Sequence, residues 1–139
     1  MNEAERRRLF EIARASLLRE FPDGWAFYVY GSFARGDDWP DSDVDLAVLL
    51  PPEQRIDDLL GVSSRLSESL GRNVDLVDLR RVSDVLRREV LADGKTLFAR
   101  SPDRVLAWEA SAMSRYARYR EEIKGILEQF KRTGIGYSA

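Results

Sequence analysis

Asp43 and Asp45 stand two residues apart at the head of an apolar run, Leu46-Ala47-Val48-Leu49-Leu50, and a Gly31-Ser32 pair lies a short way upstream. If the run is a strand, both carboxylates project from one face with Cα atoms about 6.5–7 Å apart, and both can reach one cation. Two like charges at the mouth of a core strand are destabilising unless a cation balances them, so this spacing reads as a metal site. A further carboxylate is available in Val74-Asp75-Leu76-Val77-Asp78-Leu79. Asp75 and Asp78 are three apart, so they fall on opposite strand faces and only one can join the pair. Asp75, deeper in the run, is the expected third ligand, while Asp78 sits near the strand end where it can bond to the Arg80-Arg81 region. Three such carboxylates can hold two Mg²⁺ ions about 3.5–4 Å apart, one activating an attacking hydroxyl and one stabilising a departing oxygen.

The upstream turn suits an anion. Gly31 follows an aromatic and β-branched run, Trp25-Ala26-Phe27-Tyr28-Val29-Tyr30, and having no Cβ it lets backbone approach a ligand closely. Ser32 to Arg35 can begin a helical turn whose N–H groups face a phosphate, with the Ser32 hydroxyl as a donor and Arg35 as a cation for a triphosphate tail. A Gly-Ser turn by itself is commonly only a turn. The chain contains neither Cys nor His. That excludes disulfides, zinc sites of the usual ligand sets, thiolate nucleophiles and Ser-His-Asp relays, and leaves oxygen ligands suited to hard divalent cations.

The elements that must position these groups follow from periodicity. Residues 2–20 carry Leu9, Ile12, Ala13 and Leu17 at helical spacing behind an Asn2 cap with Glu5 three positions on. Phe21-Pro22-Asp23-Gly24 stops that helix, and residues 25–30 make a strand. Val44 to Leu50 is a second, central strand ended by Pro51-Pro52. Helical spacing returns over 53–70 through Ile56, Leu59, Leu60, Ser63, Leu66 and Leu70, with Gly71 as the stop. A strand over 74–79 follows, then a helix over 83–92 with Val85, Leu86 and Val90 inward, then extended Thr96-Leu97-Phe98. The order predicts an α/β (α+β) domain with helices on a small sheet.

Residues 102–132 form one long helical pattern, with Val105, Trp108, Ala112, Tyr116, Tyr119, Ile123, Ile126 and Phe130 at threes and fours. It would be about 45 Å long at roughly 1.5 Å per residue, against about 35–40 Å for a sphere of this chain length. The simpler expectation is a kink near Gly125 that lets the helix cover the core; the alternative is an exposed aromatic face for a partner. At 139 residues the chain is expected to be one domain, 1–100 as its core and 102–132 as the terminal helix. Its net charge of −2 supplies no field for nucleic acid or an anionic membrane, so direct nucleic-acid binding is not expected. Neither a signal peptide nor an apolar stretch of membrane-spanning length is visible, and the chain reads as cytoplasmic. Arg6-Arg7-Arg8 and Arg80-Arg81 read as solvated faces.

Taken as a unit, Gly31-Ser32-Phe33-Ala34-Arg35-Gly36 followed by Ser42-Asp43-Val44-Asp45-Leu46 resembles the polymerase-β-type nucleotidyltransferases in their minimal form, the MNT proteins. The resemblance runs from the first strand through Asp75 to Asp93-Gly94-Lys95. It implies a mixed sheet flanked by helices, ATP as donor with Mg²⁺, and transfer of AMP to a hydroxyl. By position it implies Gly31 and Ser32 at the triphosphate, with Arg35 and Ser42 as further nucleotide contacts. Asp43 and Asp45 become metal ligands, and Asp75 the third ligand that helps deprotonate the acceptor. Larger members carry a separate domain that grips the acceptor. This chain has none, so the acceptor must be presented from outside, in a homo- or hetero-oligomer. MNT proteins of this kind are antitoxins that transfer AMP to a tyrosine of a partner HEPN ribonuclease toxin. The alternatives are transfer to a small hydroxyl compound and neutralisation of a toxin by contact alone. Trp39 either stacks on adenine or closes its loop.

Overall fold

The computed structural model describes residues 1–37 and 42–133. Their order is α1 (Glu3–Glu20), β1 (Ala26–Tyr30), α2 (Ser32–Arg35), β2 (Val44–Leu49), α3 (Leu59–Leu70), β3 (Val74–Asp78), α4 (Asp84–Asp93), β4 (Lys95–Ala99) and α5 (Pro102–Thr133). The strands form one mixed sheet in the order β3-β2-β1-β4. β1 is antiparallel to both β2 and β4, and β2 is parallel to β3 through the α3 crossover. The expected α/β sheet with flanking helices is the one observed.

Alternation along the central strands assigns each side chain to one of two apolar layers. Phe27, Val29, Val44, Leu46, Val48 and Leu50 meet Leu9, Ala13 and Leu17 of α1 and Val62, Leu66 and Leu70 of α3. Tyr28, Tyr30, Ala47 and Leu49 meet Val90 of α4 and Val105 of α5 on the opposite face. With both faces covered, β1 is buried along its length, which is why its sequence and that of β2 read as continuous apolar runs. The Tyr28 hydroxyl donates to Glu109 Oε1 at 2.8 Å and fastens the start of α5 to the sheet.

Caps set the helix limits. Asn2 accepts the Glu5 N–H at 2.8 Å, as its position before α1 predicts. The expected helix over 53–70 is shorter by six residues, because Asp58 caps it by accepting the Gly61 N–H at 2.9 Å and α3 begins at Leu59. Its buried stripe is Val62, Leu66 and Leu70 rather than one including Leu59 and Leu60, and Leu60 is 82% exposed. In α4, Val85 faces outward, contrary to expectation. Arg87 is buried in its place, donating to the carbonyls of Leu79, Arg80 and Val82 and to Asp84. Those bonds satisfy a turn that a valine could not.

α5 also departs from the simpler expectation. It is helical through Gly125, and a Cβ there would meet nothing. Val105 and Ala112 are buried and Trp108 and Tyr116 half-buried, but Tyr119, Ile123, Ile126, Leu127 and Phe130 are exposed. The helix therefore covers the core only through its first half and carries its apolar stripe beyond the sheet. No helix among the described residues is long and apolar enough to cross a membrane.

Candidate active site

The site is assembled where the end of β1 meets the starts of β2 and β3. β1 pairs Tyr30 with Asp45, and β3 pairs Asp75 with the same Asp45. Residues paired across neighbouring strands point to the same face, so Tyr30, Asp45 and Asp75 form one row on the side covered by α4. Asp43 lies one residue before β2 and is exposed, whereas Asp45 is half-buried. The Asp43-x-Asp45 pair thus straddles the strand entrance instead of lying wholly within it. Its close neighbour in register is Asp75, the carboxylate expected from its depth in the run.

Asp78 lies elsewhere. It pairs with Val48, further along β2, and is buried against Arg80, whose Nη2 donates to its Oδ2 at 2.7 Å. The Arg80 backbone N–H and Nε both donate to Asp78 Oδ1 at 3.0 Å, and Nη1 donates to the Pro51 carbonyl at 2.6 Å. Asp78 is thereby committed to the turn after β3, the role its place at the strand end suggested.

Gly31 connects the row to the turn. Its backbone has φ 70° and ψ −150°, a region that L-residues avoid, and it leads directly into α2. A Cβ built on Gly31 would lie 2.3 Å from Asp45 Oδ2, so the space beside that carboxylate exists because position 31 has no side chain. Gly36, at φ 81°, ends the turn with its N–H on the Ser32 carbonyl at 2.9 Å. Ser32 is half-buried at the start of α2, Ser42 half-buried just before Asp43, and Arg35 exposed, with Nε 3.2 Å from Asp37. Trp39 lies outside the described residues.

The electrostatics follow from this crowding. Burial, then the charges of Asp75, Asp43 and Glu89, push the Asp45 carboxyl up to about 6, and only Arg35 opposes them. Burial, then Asp45, Asp75 and Glu89, push the Tyr30 phenol well above its ordinary range, so it remains protonated beneath the row. As the side chains lie, no three carboxylates among the described residues enclose a cation. Even so, the residues fit one. The donors are hard oxygens, the absence of a side chain at Gly31 leaves room for the Asp45 carboxylate, and burial with the charges of Asp75, Asp43 and Glu89 outweighs the opposing charge of Arg35.

Sequence reasoning missed Tyr30 and Glu89. Tyr30 was read only as the last residue of a strand, though its place immediately before Gly31 puts it beside any group the turn serves. Glu89 directly precedes the buried Val90 on α4, a flank of the inward stripe that faces the sheet. Only the packing of α4 against β1 brings it near Asp45.

Residues 15–103 match the family described as polymerase beta, nucleotidyltransferase. The protein adenylyltransferase MntA of Shewanella oneidensis is 32% identical over 115 residues, 81% of each chain. A crystal structure of a toxin-antitoxin with AMP-PNP contains a chain with TM-score 0.70 and 29% identity, covering 94% of this chain and 99% of that one. A structure described as a minimal nucleotidyltransferase aligns with TM-score 0.54 and 32% identity, over 68% of this chain and 95% of its own.

Proposed function

The chain belongs to the polymerase β nucleotidyltransferase family, and from that premise we propose that it is a protein adenylyltransferase, moving AMP from ATP to a tyrosine hydroxyl of a HEPN-type toxin and acting as its antitoxin. The observation that carries this reading is the Asp45–Asp75 row with Asp43 beside it, lying against a glycine turn whose missing Cβ leaves room at Asp45. A relative that shares the family and this chain's length range is itself a protein adenylyltransferase. A structural relative was solved as a toxin-antitoxin with an ATP analogue.

In the proposed reaction the N–H groups at Gly31 and Ser32, with the hydroxyls of Ser32 and Ser42 and the Arg35 guanidinium, receive the triphosphate. Asp43, Asp45 and Asp75 would hold Mg²⁺, two ions in the full site, which supplies charge neutralisation at the phosphates and lowers the pKa of the attacking hydroxyl. The phenol oxygen of the acceptor attacks the α-phosphorus, the bond from that phosphorus to the β-phosphate oxygen breaks, and pyrophosphate leaves. Asp75, exposed at the sheet edge, takes the phenolic proton. Tyr30, held neutral and buried, closes the floor of the site.

Residues 1–100 serve as the catalytic core, and α5 beyond Tyr116 as the face that docks the toxin. Tyr116, Tyr119, Ile123, Ile126 and Phe130 follow one another at steps of three, four, three and four, a seam suited to another helix. The setting is the cytoplasm, where ATP and a ribonuclease target coexist. The test is incubation of the chain with labelled ATP, Mg²⁺ and the toxin encoded beside it. Label should pass to the toxin, and prior chelation of Mg²⁺ should prevent that transfer; an unlabelled toxin in the presence of Mg²⁺ would reject the proposal. A screen for pyrophosphate release with small hydroxyl compounds separates the alternative acceptor class.

A further inference from the structure

A stack of two arginines on Phe33 stands behind the phosphate turn and has no part in the steps above. Arg6, on the first turns of α1, donates from Nη1 to the Phe33 carbonyl at 2.9 Å, and its guanidinium carbon lies 5.8 Å from the centre of the Phe33 ring. Arg72, two residues beyond the end of α3, lies 5.0 Å from the same centre. Phe33 is fully buried and immediately follows Ser32 in α2.

α2 is a single turn of four residues, too short to be stable by its own hydrogen bonds, so its orientation depends on what grips it from outside. Phe33 is that grip: its ring is set in the apolar layer beneath the sheet and its backbone is held by α1. Arg72 adds a third segment. It precedes Asn73, whose carbonyl accepts the Val44 N–H at 2.8 Å and closes the start of β2 on the start of β3. One ring therefore joins α1, the phosphate turn and the approach to Asp75.

We infer that Arg6 and Arg72 are positioning residues for nucleotide binding, clamping Phe33 so that the N–H groups of Gly31 and Ser32 stay aimed at the triphosphate. This inference rests on the assignment of that turn to the triphosphate. Arg6, read from sequence as part of a solvated basic face, becomes a structural partner of the site.

The test measures the Kd of a non-hydrolysable ATP analogue with Mg²⁺, together with thermal unfolding, for the full chain and its variants. Arg6→Gln and Phe33→Leu should each raise the Kd about ten-fold, the scale of one charge-assisted contact. AMP transfer at saturating ATP should stay within about two-fold of the parent, since a positioning role acts on occupancy. Arg6→Lys, which can still donate to the Phe33 carbonyl, should recover part of the affinity. Arg19→Gln, on the same helix but bonded to Ser16, should change nothing. Lower unfolding temperatures with unchanged Kd would overturn the inference, as would an equal rise in Kd for Arg19→Gln. Normal binding by the parent with normal binding by the variants overturns the positioning role alone. No binding by the parent overturns the assignment of the turn and this inference with it.

Discussion

Asp45 titrates near pH 6 in the folded chain because burial and three neighbouring carboxylates oppose its charge, while an unfolded chain would titrate it near its ordinary 3.8. The folded state therefore holds that proton more tightly, and the stability it confers is present below about pH 4 and lost as pH rises through 6. Without divalent cation, Asp45→Asn should stabilise the chain at pH 7.5 by about 1 kcal/mol, a value reduced for partial exposure, and give no gain at pH 4. Chemical unfolding of both proteins at the two pH values checks this. For the reaction, Asp75→Asn should lower kcat by at least about 10²-fold, the scale on which general base groups act. Asp78→Asn should spare kcat at saturating ATP but destabilise the chain by about 3 kcal/mol, because it leaves the half-buried Arg80 without its carboxylate. Equal kinetic losses in the two variants would undo the distinction drawn between these aspartates. Gly31→Ala would push a Cβ into Asp45 and impose a backbone region that alanine avoids, so loss of activity should accompany loss of stability.

At the scale of elements, α5 invites the clearest experiment. Its outer half buries nothing, so Ile123→Asp combined with Ile126→Asp should leave the unfolding temperature unchanged and abolish capture of the toxin. Unchanged capture would mean that the toxin docks elsewhere. The same helix shows where sequence reading ends. Periodicity gave its length and its stripe, but whether a stripe is covered depends on how far the sheet reaches beneath it. The strands and the glycine turn were legible because Gly31, the Asp43-x-Asp45 spacing and the apolar run after Asp45 are local patterns. Alternation sets Asp75 and Asp78 on opposite faces, and depth in the run singled out Asp75, which stands in register with Asp45. The start of α3 was not legible, because Ile56, Leu59 and Leu60 match helical spacing while Asp58 satisfies the first turn at a different place. Glu89 and the Arg6–Phe33–Arg72 stack were hidden for another reason: each is made by segments far apart in the chain.

As a whole molecule, the chain presents a row of carboxylates beside a glycine turn at one end of the sheet and a helix whose outer half carries exposed apolar side chains. In the proposed reaction specificity comes from docking on α5, which raises the effective concentration of one hydroxyl at the site. A short tyrosine peptide cut from the toxin should accordingly be modified at least about 10³-fold less efficiently than the intact toxin, measured as kcat/KM. The claim on which all of this depends is that Asp43, Asp45 and Asp75 together receive Mg²⁺ while the Gly31-Ser32 turn receives the triphosphate. A crystal of the chain grown with a non-hydrolysable ATP analogue and Mg²⁺ tests it most directly. The expected density places a cation against Asp43 and Asp45, with Asp75 facing it and the phosphates on the N–H groups of Gly31 and Ser32. Nucleotide bound away from that turn, or those carboxylates turned from any ion, would contradict it.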